Sequence, residues 1–242
     1  MNDGQSKVLM IVHIPKAAGT TLRVIAQRQY PQTFIIGHDI PAERQRLRAL
    51  SEDGKRDLRA VFGHMCWGWH KELAPGQEYQ YLTMLRDPTE RVLSLYAHSK
   101  LAQHFLGKAT AGMDVRAYLE SGVTRTCDNG MVRQLCGSDT FLRDPYRDMV
   151  IPHGKVNRQH LAAAKRNLDA CVAVGVAEQF DDFLAVCQAE LGWRIGSYEN
   201  RNVTFWPRPS LASLDRRTKE ALEHYTRLDR ELYEYARQRG QT

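Results

Sequence analysis

Apolar positions in this chain come in short runs divided by polar, turn-forming stretches, and their spacing switches repeatedly between strand-like and helix-like periods. The run KVLMIV at 7–12 predicts a buried strand, followed by the loop HIPKAAGTT and a helix from 21 to about 29. Further strands are predicted at 33–36, 58–62, 80–85 and 171–176, the last within the apolar run 170–177. Helices are predicted at 41–50, with Pro at the first turn, and at 89–105, 113–121, 128–136, 158–168 and 178–191. Residues 215–238 form an amphipathic pattern with Leu222, Tyr225, Leu228, Leu232 and Tyr235 on one side. The stretches 65–78 and 137–157 read as loops. Strands alternating with helices predict a doubly wound α/β fold with a central parallel sheet, and no repeat or linker divides residues 1–242.

Composition narrows the class. With 242 residues, 43% of them hydrophobic and 26% charged, the chain can build a full globular core, which excludes a disordered tail or a small disulfide scaffold. No apolar run approaches the roughly 20 residues of a membrane span, and the N-terminus lacks a secretory pattern. Five cysteines without a C-x-x-C pair fit a reduced, cytoplasmic setting, in which the Asn202-Val203-Thr204 triplet would be accidental. The net charge of +6 points to an anionic ligand without choosing its class.

The loop after the first strand supplies a place for that anion. N–H groups at a helix start point outward and the helix dipole favours negative charge there. Ala18, Gly19, Thr20 and Thr21 would present those groups, with hydroxyls on the two threonines and a positive charge on Lys16. Gly19 allows close approach of backbone to ligand. Lys16 precedes Gly19 by three residues, whereas a Walker A lysine follows its last glycine, so the loop is not a Walker A loop. The strand at 80–85 likewise ends in Arg86, with Ser94 about two turns into the next helix. A guanidinium and a hydroxyl can hold a second phosphate. Arg91 is placed to pair with Asp87.

These residues carry a resemblance. HIPKAAGTTL followed by TMLRDPTERVLSLY resembles the paired donor-binding signatures of sulfotransferases that use 3′-phosphoadenosine-5′-phosphosulfate (PAPS), in the carbohydrate branch that includes heparan sulfate 2-O-sulfotransferases and their bacterial relatives. FGHM at 62–65, VGVAEQFDDFL at 174–184 and LDRELYEYA at 228–236 agree. The resemblance implies a P-loop-like three-layer α/β/α fold, with PAPS as donor and no metal. It implies that Lys16, Ala17, Ala18, Gly19, Thr20 and Thr21 bind the 5′-phosphosulfate, and that Arg86 and Ser94 bind the 3′-phosphate. Relatives often carry a hydroxyl residue where this chain has Ala17, so one donor is lost.

Sulfuryl transfer to an alcohol needs a base for the hydroxyl proton and charge relief for the departing phosphate. His64, just past the strand at 58–62, falls where similar enzymes keep a catalytic histidine, and Lys16 is the candidate for charge relief. The expected reaction is direct in-line transfer to a hydroxyl, with saccharides rather than nucleic acid as the expected acceptors. His13 would orient the loop, and His38 and His70 would line the acceptor pocket. Trp67 and Trp69 are candidates for stacking on sugar, and Asn129 and Arg133 fall on a stretch similar to the family's acceptor-side helix. Arg125, Lys155 and Arg158 are further basic candidates, and His153 has no assigned role. His64, Cys66 and His70 lack a fourth ligand at a familiar metal spacing. Two alternatives stay open: a small-molecule kinase with an atypical phosphate loop, and a non-catalytic nucleotide- or polyanion-binding module.

Overall fold

The first strand of the chain lies in the middle of the sheet. The computed structural model describes residues 7–37, 39–101, 105–140, 149–198 and 208–239. Its strands β1 (Val8–Val12), β2 (Thr33–Ile36), β3 (Ala60–Gly63), β4 (Tyr79–Leu85) and β5 (Cys171–Val176) pair in the order β2-β3-β1-β4-β5. Every pairing is parallel. The helices are α1 (Gly19–Gln29), α2 (Ile40–Arg48), α3 (Glu52–Asp57), α4 (Pro88–Leu101), α5 (Phe105–Thr110), α6 (Val115–Ser121), α7 (Gly130–Leu135), α8 (Arg158–Asp169), α9 (Phe180–Leu191) and α10 (Arg216–Arg239).

The three layers follow from the two-residue period of a strand. Val8, Met10 and Val12 pack on one side of the sheet against Met131 and Leu135 of α7, Leu161 and Leu168 of α8, and Leu228 and Leu232 of α10. Leu9 and Ile11 pack on the other side against Leu22 and Ile25 of α1 and Phe183 and Leu184 of α9. A third cluster joins Val92 and Leu95 of α4 to Tyr118 and Leu119 of α6 and Leu222 of α10. The expected three-layer α/β/α fold with a central parallel sheet is the one observed.

Local differences have local causes. The predicted helix at 89–105 is two helices, α4 and α5. Helix α3 escaped the hydrophobic pattern because it buries no residue; the Ser51 hydroxyl caps it by accepting from the Gly54 N–H at 3.1 Å. Arg91 does not pair with Asp87 through its side chain. Its guanidinium, wholly buried, donates to the Thr126 carbonyl at 2.9 Å and to Asp229 at 3.2 Å, tying α4 to α10. Asp87 instead caps α4 through the Glu90 N–H at 3.0 Å and pairs with Arg230. Among the described residues, no helix is long and apolar enough to cross a membrane.

Candidate active site at the carboxyl edge of the sheet

Strand register sets three chain segments side by side. Val12 pairs with Gly63 of β3 and with Thr83 of β4, so His13, His64 and Arg86 all leave the sheet at its carboxyl edge. Ligands collect at this edge in open parallel sheets, where neighbouring connections diverge.

The loop from Ile14 to Gly19 is folded as an anion cradle. Lys16 and Ala18 both adopt left-handed backbone conformations, with φ of 69° and 50°. For residues with a β-carbon this costs about 1–3 kcal/mol each and marks a functional constraint. Left-handed residues turn successive N–H groups toward one point, the geometry of an anion-binding nest. The Ala17 N–H closes a turn on the Ile14 carbonyl at 3.2 Å, while the N–H groups of Ala18, Gly19 and Thr20 have no acceptor among the described residues. The Ala17 methyl is buried in the core at 1% exposure, Thr21 is buried at 3%, and Thr20 is exposed.

Two cations meet at this cradle. Arg86 Nη1 donates to the Lys16 carbonyl at 3.0 Å, clamping the loop after β1 from the end of β4. Burial, and then the Arg86 charge, hold the Lys16 ammonium below its ordinary range. Burial, and then Arg208, act on Arg86 in the same sense. Among the described residues no carboxylate lies within 4.0 Å of the Lys16 ammonium. Glu90 lies 3.9 Å from Arg86 and 2.6 Å from Arg208. Ser94, one turn after Glu90 on α4, is 2% exposed. A half-buried positive surplus beside N–H donors with no acceptor among the described residues is the physical requirement for holding a phosphorylated ligand.

His64 stands at the next strand end. Its Nδ1 lies 2.9 Å from the His13 carbonyl, and its ring stacks on the His13 ring with centroids 4.3 Å apart. The His13 ring in turn occupies the space beside Gly19, where an added β-carbon would sit 1.7 Å from His13 Nε2. Burial, then the charges of His64, Lys16 and Arg23, hold the His13 imidazole well below its usual range. The chain thus connects cradle, His13 and His64 in one packed sequence.

Other candidates lie elsewhere. Trp69 is 2% exposed with the Arg44 guanidinium over its ring at 5.1 Å, so no sugar can stack on it. His70 bonds the Tyr81 hydroxyl at 2.9 Å and stacks on Tyr79, at the amino end of β4. The His70 ring is thus taken up by the two tyrosines of β4. Trp67 is half-buried and stacks on Tyr81 at 3.8 Å. Asn129 accepts from the N–H groups of Leu228 and Asp229 at 2.8 and 3.1 Å, locking α7 to α10. Arg133, with no exposure, spends its guanidinium on Asp128, on Asp139 at 3.0 Å and on the carbonyls of Ile151 and Pro152. Neither side chain is presented to a ligand: both are consumed in packing. Arg125 donates to the Met149 carbonyl, Arg158 pairs with Glu231, His153 stacks on Tyr225, and Lys155 is exposed. His38 and Asn202-Val203-Thr204 lie outside the described residues.

Sequence reasoning missed Glu178 and Gln134. Glu178 accepts from the Asp87 N–H at 3.0 Å and from the Tyr233 hydroxyl at 3.1 Å, fixing the turn that carries Arg86. Gln134 donates to the His13 and Met65 carbonyls, both at 2.9 Å. Glu178 stands inside a stretch already quoted for its resemblance, whereas Gln134 gave no signal beyond its place on a short predicted helix.

The chain matches the Sulfotransferase family over residues 3–207. It is 26% identical over 188 residues to heparan-sulfate 6-O-sulfotransferase 2 of Gallus gallus, an alignment covering 68% of this chain and 45% of that protein. It is 26% identical over 208 residues to the Homo sapiens protein of the same name, covering 76% of this chain and 31% of the relative. The chain thus spans less than half the length of the curated relatives it matches. These relatives are carbohydrate sulfotransferases, the branch expected from the motifs, although of the 6-O rather than the 2-O type.

Proposed function

The chain belongs to the sulfotransferase family, and we propose that it moves a sulfuryl group from PAPS to a hydroxyl of a saccharide, with His64 as general base. The observation that carries this reading is the bond from Arg86 to the Lys16 carbonyl, which joins two cationic strand ends at one nest of N–H groups. A nucleotide with phosphates at both its 5′ and 3′ ends matches two cationic sites better than a nucleotide phosphorylated at one end.

The residues present fit that donor. Lys16 and the N–H groups of Ala18, Gly19 and Thr20 would hold the 5′-phosphosulfate, and Arg86 with Ser94 the 3′-phosphate. PAPS, when bound, supplies an activated sulfuryl group on a phosphate leaving group. Lys16 would offset the negative charge that grows on the leaving oxygen, an interaction strengthened by its burial. His64 would take the acceptor hydroxyl proton on Nε2, since Nδ1 faces the His13 carbonyl. Saccharide is the acceptor class on the strength of the relatives' names. The Trp67 ring, still partly accessible, is the remaining aromatic candidate for contact with sugar.

Ligand-induced stabilisation tests the donor assignment. Adenosine 3′,5′-bisphosphate should raise the melting temperature strongly, and ADP with Mg²⁺ should raise it little. The reverse ranking would favour a kinase and overturn the proposal.

A further inference from the structure

His64 is held by more than its strand. Its Nδ1 is 2.9 Å from the His13 carbonyl oxygen, which can only accept a hydrogen bond. The proton therefore sits on Nδ1, and the lone pair of the neutral ring sits on Nε2. The same carbonyl oxygen receives Gln134 Nε2 at 2.9 Å, so both of its lone pairs are engaged. The second Gln134 amide hydrogen goes to the Met65 carbonyl at 2.9 Å, directly after His64, and the Gln134 carbonyl accepts from the Trp67 N–H at 2.8 Å. One wholly buried residue of α7 thus grips the strand end before the imidazole's acceptor and the loop that carries the imidazole itself. Gln134 Oε1 is buried without a partner among the described residues. A buried amide oxygen left unpaired costs about 1–3 kcal/mol, so the orientation of this side chain is set by its two donated bonds.

We infer that Gln134 is the positioning residue for His64: by fixing the His13 and Met65 carbonyls it holds the imidazole with its proton on Nδ1 and Nε2 toward the reacting hydroxyl. This rests on the proposal that His64 is the base, and it adds a residue that touches neither donor nor acceptor. A merely structural glutamine would support α7 without influence on the His64 tautomer.

Nitrogen NMR of the native protein, at a pH where His64 is neutral, reads the tautomer directly. The expected spectrum has His64 protonated at Nδ1 and bare at Nε2; a proton on Nε2 would overturn the inference without any variant. Gln134→Met keeps the side-chain length and removes both donors. In that variant the His64 nitrogen shifts should move toward tautomer-averaged values. The kcat for sulfate transfer should fall about 10- to 100-fold, as for a slight misplacement of a catalytic group. The donor KM and the stabilisation by adenosine 3′,5′-bisphosphate should stay near native. Native His64 shifts together with native kcat in Gln134→Met would contradict the positioning role. His64→Ala, assayed alongside, separates the two claims: near-native turnover there removes the base assignment, whereas the tautomer measurement stands on its own.

Discussion

Arg86 Nη1 lies 3.0 Å from the carbonyl oxygen of Lys16, so the end of β4 holds the loop after β1 in the conformation that its two left-handed residues would otherwise resist. The contact gives Arg86 two tasks: it braces the cradle, and it contributes charge to it. Arg86→Ala should therefore weaken adenosine 3′,5′-bisphosphate by about 10- to 100-fold, the worth of a charge-assisted hydrogen bond. ADP, lacking the 3′-phosphate, should lose less. Calorimetric titration of both ligands into both proteins checks the difference, and an equal loss would assign Arg86 to loop bracing alone.

Gly19 is required by the His13 ring rather than by its own backbone angle. An added methyl would fall 1.7 Å from His13 Nε2, and that ring is backed by Phe62 at 5.3 Å and His64 at 4.3 Å. Alanine normally improves a helix by about 1 kcal/mol over glycine. Overpacking of about 1–3 kcal/mol should outweigh it here, so Gly19→Ala should melt lower and turn over more slowly. A raised melting temperature would show that the His13 ring moves aside freely.

Asp229 joins three elements from the buried side of α10. It accepts from Arg91 Nη2 at 3.2 Å and from the N–H groups of Met131 and Val132 at 3.2 and 2.9 Å. Asp229→Ala would strand a buried guanidinium and two N–H donors, a loss of about 3–5 kcal/mol. Urea denaturation should report it as a lower midpoint with little change in slope. A change under about 1 kcal/mol would mean that the Arg91 charge is compensated by other groups.

The folded protein should lose stability on mild acidification. Burial holds the imidazoles of His13, His70 and His153 below their ordinary range. In the unfolded chain each takes up a proton near pH 6.5, so between that value and the lower folded value the unfolded state binds more protons. Stability is therefore complete above about pH 6.5 and declines as pH falls through it, by at most about 1.4 kcal/mol per pH unit for each proton. Melting curves from pH 7.5 to 5.5 should show the fall, and His13→Phe should flatten it.

Much of this was legible in the chain because the relevant signals are local. Alternating strands and helices predicted the layers, and the stretch from His13 to Thr21 announced a phosphate loop through Lys16, Gly19 and their position after a strand. What sequence could not give was which polar residues are spent on packing. Asn129 and Arg133 look like ligands in one dimension, but α10, more than 80 residues later, closes over Asn129, and Asp128, Asp139 and two carbonyls surround Arg133. Trp69 and His70 follow His64 within six residues, yet Trp69 is buried under the Arg44 guanidinium and His70 is taken up by Tyr79 and Tyr81. Gln134 was invisible for the converse reason: its partners, His13 and Met65, are brought to it only by the parallel register.

The most direct test is a dual-label transfer assay with PAPS carrying ³⁵S and ATP carrying ³²P on its γ-phosphate, both offered with heparan-type and other saccharides to the native protein and to His64→Ala. The account predicts ³⁵S on saccharide from the native protein, no ³²P transfer, and loss of ³⁵S transfer in His64→Ala with adenosine 3′,5′-bisphosphate binding retained. Movement of ³²P, or undiminished ³⁵S transfer by His64→Ala, would contradict it.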